Sequence, residues 1–149
     1  MKIITKQVKE TINFAKKISH HLKERDVLAL TGELGSGKTV FAKGLAFGLG
    51  IKKEKVISPS FVLMQEYKTK FSIYHFDLYR VKDLRELYLI GFEEYLDGCG
   101  VSIIEWADRA RELLPKEYLL INFRINNNKS RTIEFKPHGP RYINLIKLL

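Results

Sequence analysis

The chain is poor in the residues that staple, anchor or unfold a protein. Cys99 is its single cysteine, which excludes an intrachain disulfide and any cysteine metal cluster and favours a reducing compartment. No apolar run approaches the ~18 residues that cross a bilayer, and the N-terminus has no apolar signal-peptide core. A cytoplasmic protein with no membrane partner is therefore expected. With only four prolines and no low-complexity stretch, nothing marks a linker, and residues 1–149 are read as one domain. The 45% hydrophobic and 29% charged content leaves room for a packed core and argues against disorder. Acidic side chains are the minority: the formal net charge is +9, an attraction to polyanions that does not identify one. The cations are scattered, with Lys52, Lys53 and Lys55 the densest group.

What is present centres on Gly32-Glu33-Leu34-Gly35-Ser36-Gly37-Lys38-Thr39, which fits G-x-x-x-x-G-K-S/T without a mismatch. The apolar run Val27–Leu30 before it reads as a buried parallel strand. Val40 to Leu49 after it carries Val40, Phe41, Leu45 and Leu49 at helical spacing. Strand, glycine loop and helix together give the pattern its chemistry. Glycines at 32, 35 and 37 let backbone N–H groups turn inward around a phosphate, and the helix that follows adds its positive dipole end. In such a loop Lys38 reaches the β- and γ-phosphates and the Thr39 hydroxyl ligates Mg²⁺.

Around that motif the chain reads as α/β. Ile3-Ile4 forms a short strand, and residues 7–23 form an amphipathic helix with Val8, Ile12, Ala15, Ile18 and Leu22 on one face. Residues 61–67 and 71–78 form a hairpin, and 83–96 a helix with a break at Gly91. Val101–Ile104 is a buried strand, 107–114 a short helix stopped by Pro115, 118–125 and 132–135 closing strands, and 140–149 a terminal helix. Hence the expected fold is a three-layer P-loop NTPase-like domain with a mixed, partly parallel central sheet.

A phosphate loop needs a carboxylate for the metal or its water. Glu105 follows directly on the strand Val101–Ile104, and ligands of open α/β sheets sit beyond the carboxyl ends of strands. Asp77 is the second candidate; period-two alternation places His75, Asp77 and Tyr79 on one face. A turn role paired with Arg80 competes for Asp77, and His75 alone reads as a core histidine. Asp97-Gly98-Cys99-Gly100 fits the D-x-x-G of GTPases but follows a helical segment, and Asn128-Lys129-Ser130-Arg131 has Arg where N-K-x-D requires Asp. The purine is therefore read as adenine.

The ordered set of the phosphate loop, Ser58-Pro59-Ser60-Phe61, His75-Phe76-Asp77-Leu78-Tyr79-Arg80, Gly91-Phe92-Glu93-Glu94-Tyr95 and Ile104-Glu105-Trp106 resembles the TsaE (YjeE) family of bacterial P-loop ATPases. That family is required for threonylcarbamoyladenosine modification of tRNA. The match runs from the N-terminal helix to near Pro115. The resemblance implies ATP/ADP and Mg²⁺ as cofactors, with Glu33, Leu34, Gly35, Ser36, Gly37, Lys38, Thr39 and Val40 around the phosphates and Trp106 near the nucleotide. It implies metal and catalytic roles for Thr39, Glu105, Asp77 and Lys38. Ser60 stands where the family usually has Thr, in a segment resembling a nucleotide-responsive switch; it keeps the hydroxyl and loses the methyl. The implied partner is the TsaB–TsaD pair, direct or indirect contact with tRNA being left open, and Arg80 and Arg109 are the nearest arginine-finger candidates. Two other classes compete. A small P-loop kinase would need an arginine-rich lid, and none is evident; a nucleotide-sensing RNA-binding module is suggested by the basic charge.

Overall fold

The computed structural model describes residues 1–52 and 55–149; Lys53, within the densest basic group of the sequence, lies outside the described residues. Seven strands form a single mixed sheet in the order β1-β7-β6-β2-β5-β4-β3. Their ranges are Lys2–Thr5, Val27–Gly32, Met64–Lys68, Ser72–Asp77, Val101–Glu105, Tyr118–Ile125 and Arg131–His138, for β1 to β7 in chain order. At the centre β2 pairs in parallel with both β5 and β6, and β4 runs parallel to β5. The antiparallel strands β3, on β4, and β7, on β6, flank this parallel core. The mixed sheet expected from the sequence is thus observed.

Helices cover both faces. The period of two along β2 sends Leu28 and Leu30 to one side, where they join Ala15, Ile18, Phe41 and Leu45 of α1 (Val8–Ser19) and α2 (Lys38–Gly48). Helix α5 (Pro140–Lys147) adds Tyr142 and Leu145 to this cluster. Val27 and Ala29 point the other way, onto Leu87 of α3 (Arg85–Leu89), Phe92 and Leu96 of α4 (Phe92–Asp97) and the 3₁₀ helix Ala107–Leu113. Three layers result. Contact between α1 and α2 is close because α2 turns Gly44 and Gly48 toward its partner: a Cβ built on Gly44 would lie 2.7 Å from the Ala15 Cβ, and one on Gly48 would lie 1.9 Å from the Ser19 Oγ.

Several boundaries differ from the sequence reading. Helix α1 stops at Ser19 rather than 23, where the Ser19 hydroxyl turns back to the Lys16 carbonyl at 2.6 Å. Strand β3 begins at Met64 rather than 61, because Leu63 takes a positive φ of 68° and leaves Phe61 in a turn, 83% exposed. The segment expected as one interrupted helix is two, α3 and α4, divided at Gly91 with φ +69°. Strand β7 continues past Phe135 through Pro137 to His138. Its pairing with β1 ends at Lys2–Glu134, so proline falls on a free edge of the strand and interrupts no ladder.

Candidate functional site

Strand register assembles the site. Leu30, Glu105 and Asp77 are directly aligned across β2, β5 and β4, so both carboxylates stand level with the start of the glycine loop. The parallel direction of the three strands puts all of this at one carboxyl edge, where open α/β sheets bind ligands.

Each loop position has an identifiable task. Gly35 and Gly37 adopt φ of +74° and +107°, and a Cβ on either would meet no atom within 4 Å. Positive φ, with little steric obstruction, is what a phosphate-wrapping backbone requires. Gly32 has φ +135°, and a Cβ there would lie 2.4 Å from the Phe123 carbonyl oxygen, so β6 crowds the loop at its entry. Ser36 is fully buried beneath the loop, whereas Leu34 is exposed at its tip. The Lys38 ammonium donates to the carbonyls of Gly32 (2.7 Å) and Glu33 (2.8 Å) and lies 3.8 Å from the Trp106 ring centroid. Burial pushes its pKa below the usual lysine value, against the opposing pull of Glu105, Asp108, Asp77 and Glu33.

Glu105 is the hub. The Thr39 hydroxyl donates to its Oε2 at 2.6 Å, and His75 Nε2 lies 2.8 Å from its Oε1. Since an ionised carboxylate only accepts, the imidazole donates through Nε2. Both His75 and Glu105 are 1% exposed, so neither oxygen is free to rotate away into solvent. His75, read alone as a core histidine, is therefore the orienting partner of the carboxylate. Asp77 accepts from the Ser60 hydroxyl (2.8 Å) through Oδ2 and from the Tyr79 N–H (3.0 Å) through Oδ1, and Ser58 meets Ser60 at 2.8 Å. The competing turn reading of Asp77 holds in part: its bond to the Tyr79 N–H closes a local turn, but among the described residues Arg80 is not its partner, the guanidinium lying 4.5 Å from the Phe61 ring centroid. Arg109 donates to the Val81 carbonyl at 2.9 Å, with Tyr79 and Trp106 flanking it. Trp106 itself sits at φ +57°, an unusual conformation for a bulky residue, directly after Glu105.

Sequence reasoning missed a second wall. Thr5, Lys6, Gln7, Val8 and Arg131 line a cleft of about 130 Å³ with Gly35, Gly37 and Val40, and the Arg131 Nη2 donates to the Gly35 carbonyl at 3.4 Å. No local signal marks these positions, because the N-terminal segment and the start of β7 meet the loop only through the fold. A further cleft of about 170 Å³ is lined by Leu34, Lys38, Thr39, Glu105 and Trp106.

The donors suit a hard cation. Thr39, Glu105 and Asp77 offer only oxygen, and the described residues contain no group of three or more His, Cys, Asp or Glu that would form an all-protein cage. Magnesium in nucleotide sites takes one or two carboxylates and completes its shell with water and phosphate oxygens. The residues present fit that ion.

Comparison with known proteins gives a consistent answer. The family profile described as threonylcarbamoyl adenosine biosynthesis protein TsaE matches residues 5–133. A tRNA threonylcarbamoyladenosine biosynthesis protein TsaE from Rickettsia prowazekii is 43% identical over 124 residues, covering 83% of this chain and 85% of the relative. Its counterpart from Bacillus subtilis is 42% identical over 134 residues, covering 89% and 83%. The crystal structure of Bacillus subtilis YdiB superposes with a TM-score of 0.84 at 37% identity, over 99% of this chain and 91% of that one. The P-loop architecture expected from the sequence is the one these proteins share with it.

Proposed function

The chain belongs to the TsaE family of tRNA threonylcarbamoyladenosine biosynthesis proteins, and from that premise we propose that it is a Mg²⁺-dependent ATPase supporting the TsaB–TsaD pair. The observation that carries the reading is the 2.6 Å hydrogen bond from Thr39, the second residue of the loop helix, to Glu105 at the end of β5. It joins the hydroxyl that ligates magnesium to the carboxylate that positions it.

In this reading the loop amides from Glu33 to Val40 hold the phosphates and Lys38 neutralises them; its present carbonyl partners mark the place from which it swings. Thr39, Glu105 and Asp77 would hold Mg²⁺, and the bound ion would supply positive charge beside the phosphates. Glu105, fixed by His75, also orients the attacking water. The cleft between Thr5–Val8 and the loop takes the adenine, and Trp106 covers the phosphate end. Ser60 senses the metal through Asp77, and its release from that carboxylate would move the exposed turn carrying Phe61. Among the described residues the arginines around the loop are engaged: Arg109 by the Val81 carbonyl, Arg80 against Phe61 and Arg131 at the Gly35 carbonyl. Hydrolysis is therefore slow alone and faster with the partner pair.

Phosphate release from MgATP, measured with and without TsaB–TsaD, tests the reading. Stimulation by the pair that disappears in Glu105→Gln is the expected result. Equal turnover with and without the pair would remove partner coupling, and phosphate transferred to an added metabolite would make the protein a kinase.

A further inference from the structure

The second face of the sheet is covered over only part of its width. Among the described residues, the apolar cluster beneath α3, α4 and the 3₁₀ helix reaches Tyr118 and Leu120 of β6 and includes nothing from β7 or β1. Since Ile133 and Phe135 point into the opposite layer, alternation turns Glu134, Lys136 and His138 of β7 outward on this open face.

Register arranges what stands there. Tyr118 pairs with His138, Leu120 with Lys136, Asn122 with Glu134 and Arg124 with Thr132. The Tyr118 and His138 rings are stacked, with centroids 4.3 Å apart and planes 8° from parallel. Arg111 and Leu114, at the end of the 3₁₀ helix, wall this part of the face into a cleft of about 390 Å³. Lys136, Arg124 and Lys2 are exposed along the floor. Two acids stand among them, Glu134, 3.3 Å from Lys2 and 3.5 Å from Lys136, and Asp108, which lines the cleft with Arg111, so the four cations Lys2, Arg111, Arg124 and Lys136 outnumber them two to one.

We propose that this open sheet face binds a single-stranded segment of RNA, with bases against the Tyr118–His138 stack and phosphates along Lys136, Arg124 and Arg111. Stacked rings beside a row of cations on a sheet supply the two terms of single-strand binding, π-faces for bases and positive charge for the backbone. A protein partner would instead look for an apolar centre within a polar rim. Here the centre of the floor is Asn122, Glu134 and Lys136. The inference is independent of the nucleotide reading, since none of these side chains belongs to the phosphate loop or its carboxylates.

The test is fluorescence anisotropy of the full chain with a labelled, unstructured RNA oligonucleotide, without nucleotide, across a salt series. Binding that weakens with salt is expected. Lys136→Ala and Arg124→Ala should each reduce affinity about three- to tenfold and lower the log–log salt slope by roughly 0.7. His138→Ala should reduce affinity at least about fivefold with little change in slope. Lys9→Ala, an exposed charge removed from α1 on the far side of the sheet, should leave binding unchanged. Circular dichroism confirms that each variant is folded. No binding at low salt overturns the proposal, as does an equal loss in Lys9→Ala, which would mean a diffuse field. Full affinity in His138→Ala together with equal competition by polyglutamate also overturns it, in favour of an acidic protein.

Discussion

Glu105 shows how much one side chain carries. Its two oxygens are divided between Thr39 and a buried His75, so its orientation is set before any ligand arrives. Glu105→Gln should reduce MgATP turnover about 10- to 100-fold, the range for groups that orient a metal shell, with the loss read in kcat and in magnesium dependence. His75→Phe would leave a buried carboxylate oxygen without its donor. We expect it to lower stability by about 1–3 kcal/mol in urea unfolding. Lys38 provides a pH signature. Its folded pKa lies below the 10.5 of an ordinary lysine because burial disfavours the charge. The folded state therefore binds that proton more weakly than the unfolded chain, and the charge costs stability at neutral pH. The cost disappears as pH rises from the folded pKa to 10.5. The stability of wild type relative to Lys38→Met should accordingly increase between neutral pH and about pH 10, measured as the difference in urea midpoints. A difference that is flat with pH would mean that burial does not depress this ammonium.

Among the elements, the α1–α2 pair and α5 decide how firmly the loop is mounted. Gly44 sits where a methyl would press on the Ala15 side chain and on the Ile12 carbonyl oxygen 2.9 Å away. In an exposed helix Gly→Ala gains up to about 1 kcal/mol of propensity. Here backbone lies on the other side and cannot yield cheaply, so overpacking wins. Gly44→Ala should destabilise by about 1–3 kcal/mol in chemical denaturation. At the opposite end of β2, the Tyr142 hydroxyl accepts from the Val27 N–H at 2.6 Å. Arg141 grips the buried Asp26 through two nitrogens, at 2.9 Å and 2.6 Å. Arg141→Ala would leave that carboxylate only the Lys23 N–H, a loss of about 3 kcal/mol by the rule for broken buried pairs. The same unfolding measurement checks it. Helix α5 thus fastens the start of the strand whose other end becomes the phosphate loop.

For the whole molecule, ligand binding and stability are linked. If the loop, the carboxylates and the N-terminal cleft act together on MgATP, ligand at about 100 times Kd should stabilise the fold by about 2.7 kcal/mol. A rise in Tm that requires both ATP and Mg²⁺ is the expected outcome of a thermal scan. No helix among the described residues is long and apolar enough to cross a membrane. The net charge is +9, and strand register brings Lys2, Arg124 and Lys136 from three strands onto the open sheet face.

The loop, its flanking strand and helix, Glu105, Asp77 and the mixed sheet were legible in the sequence because each is written locally, in glycine spacing, apolar periodicity or position at a strand end. Local patterns also placed the break at Gly91. They could not state that His75 holds Glu105, since that contact depends on how β4 and β5 align. Nor could they give Arg131 and Thr5–Val8 as a wall of the site, the Gly44–Gly48 contact with α1, or the anchoring of Asp26 by Arg141. In the Asp26 case the partners stand 115 residues apart. Short-range chemistry is fixed by bond geometry and periodicity, whereas these contacts exist only after burial of the two apolar faces has chosen the strand order and register.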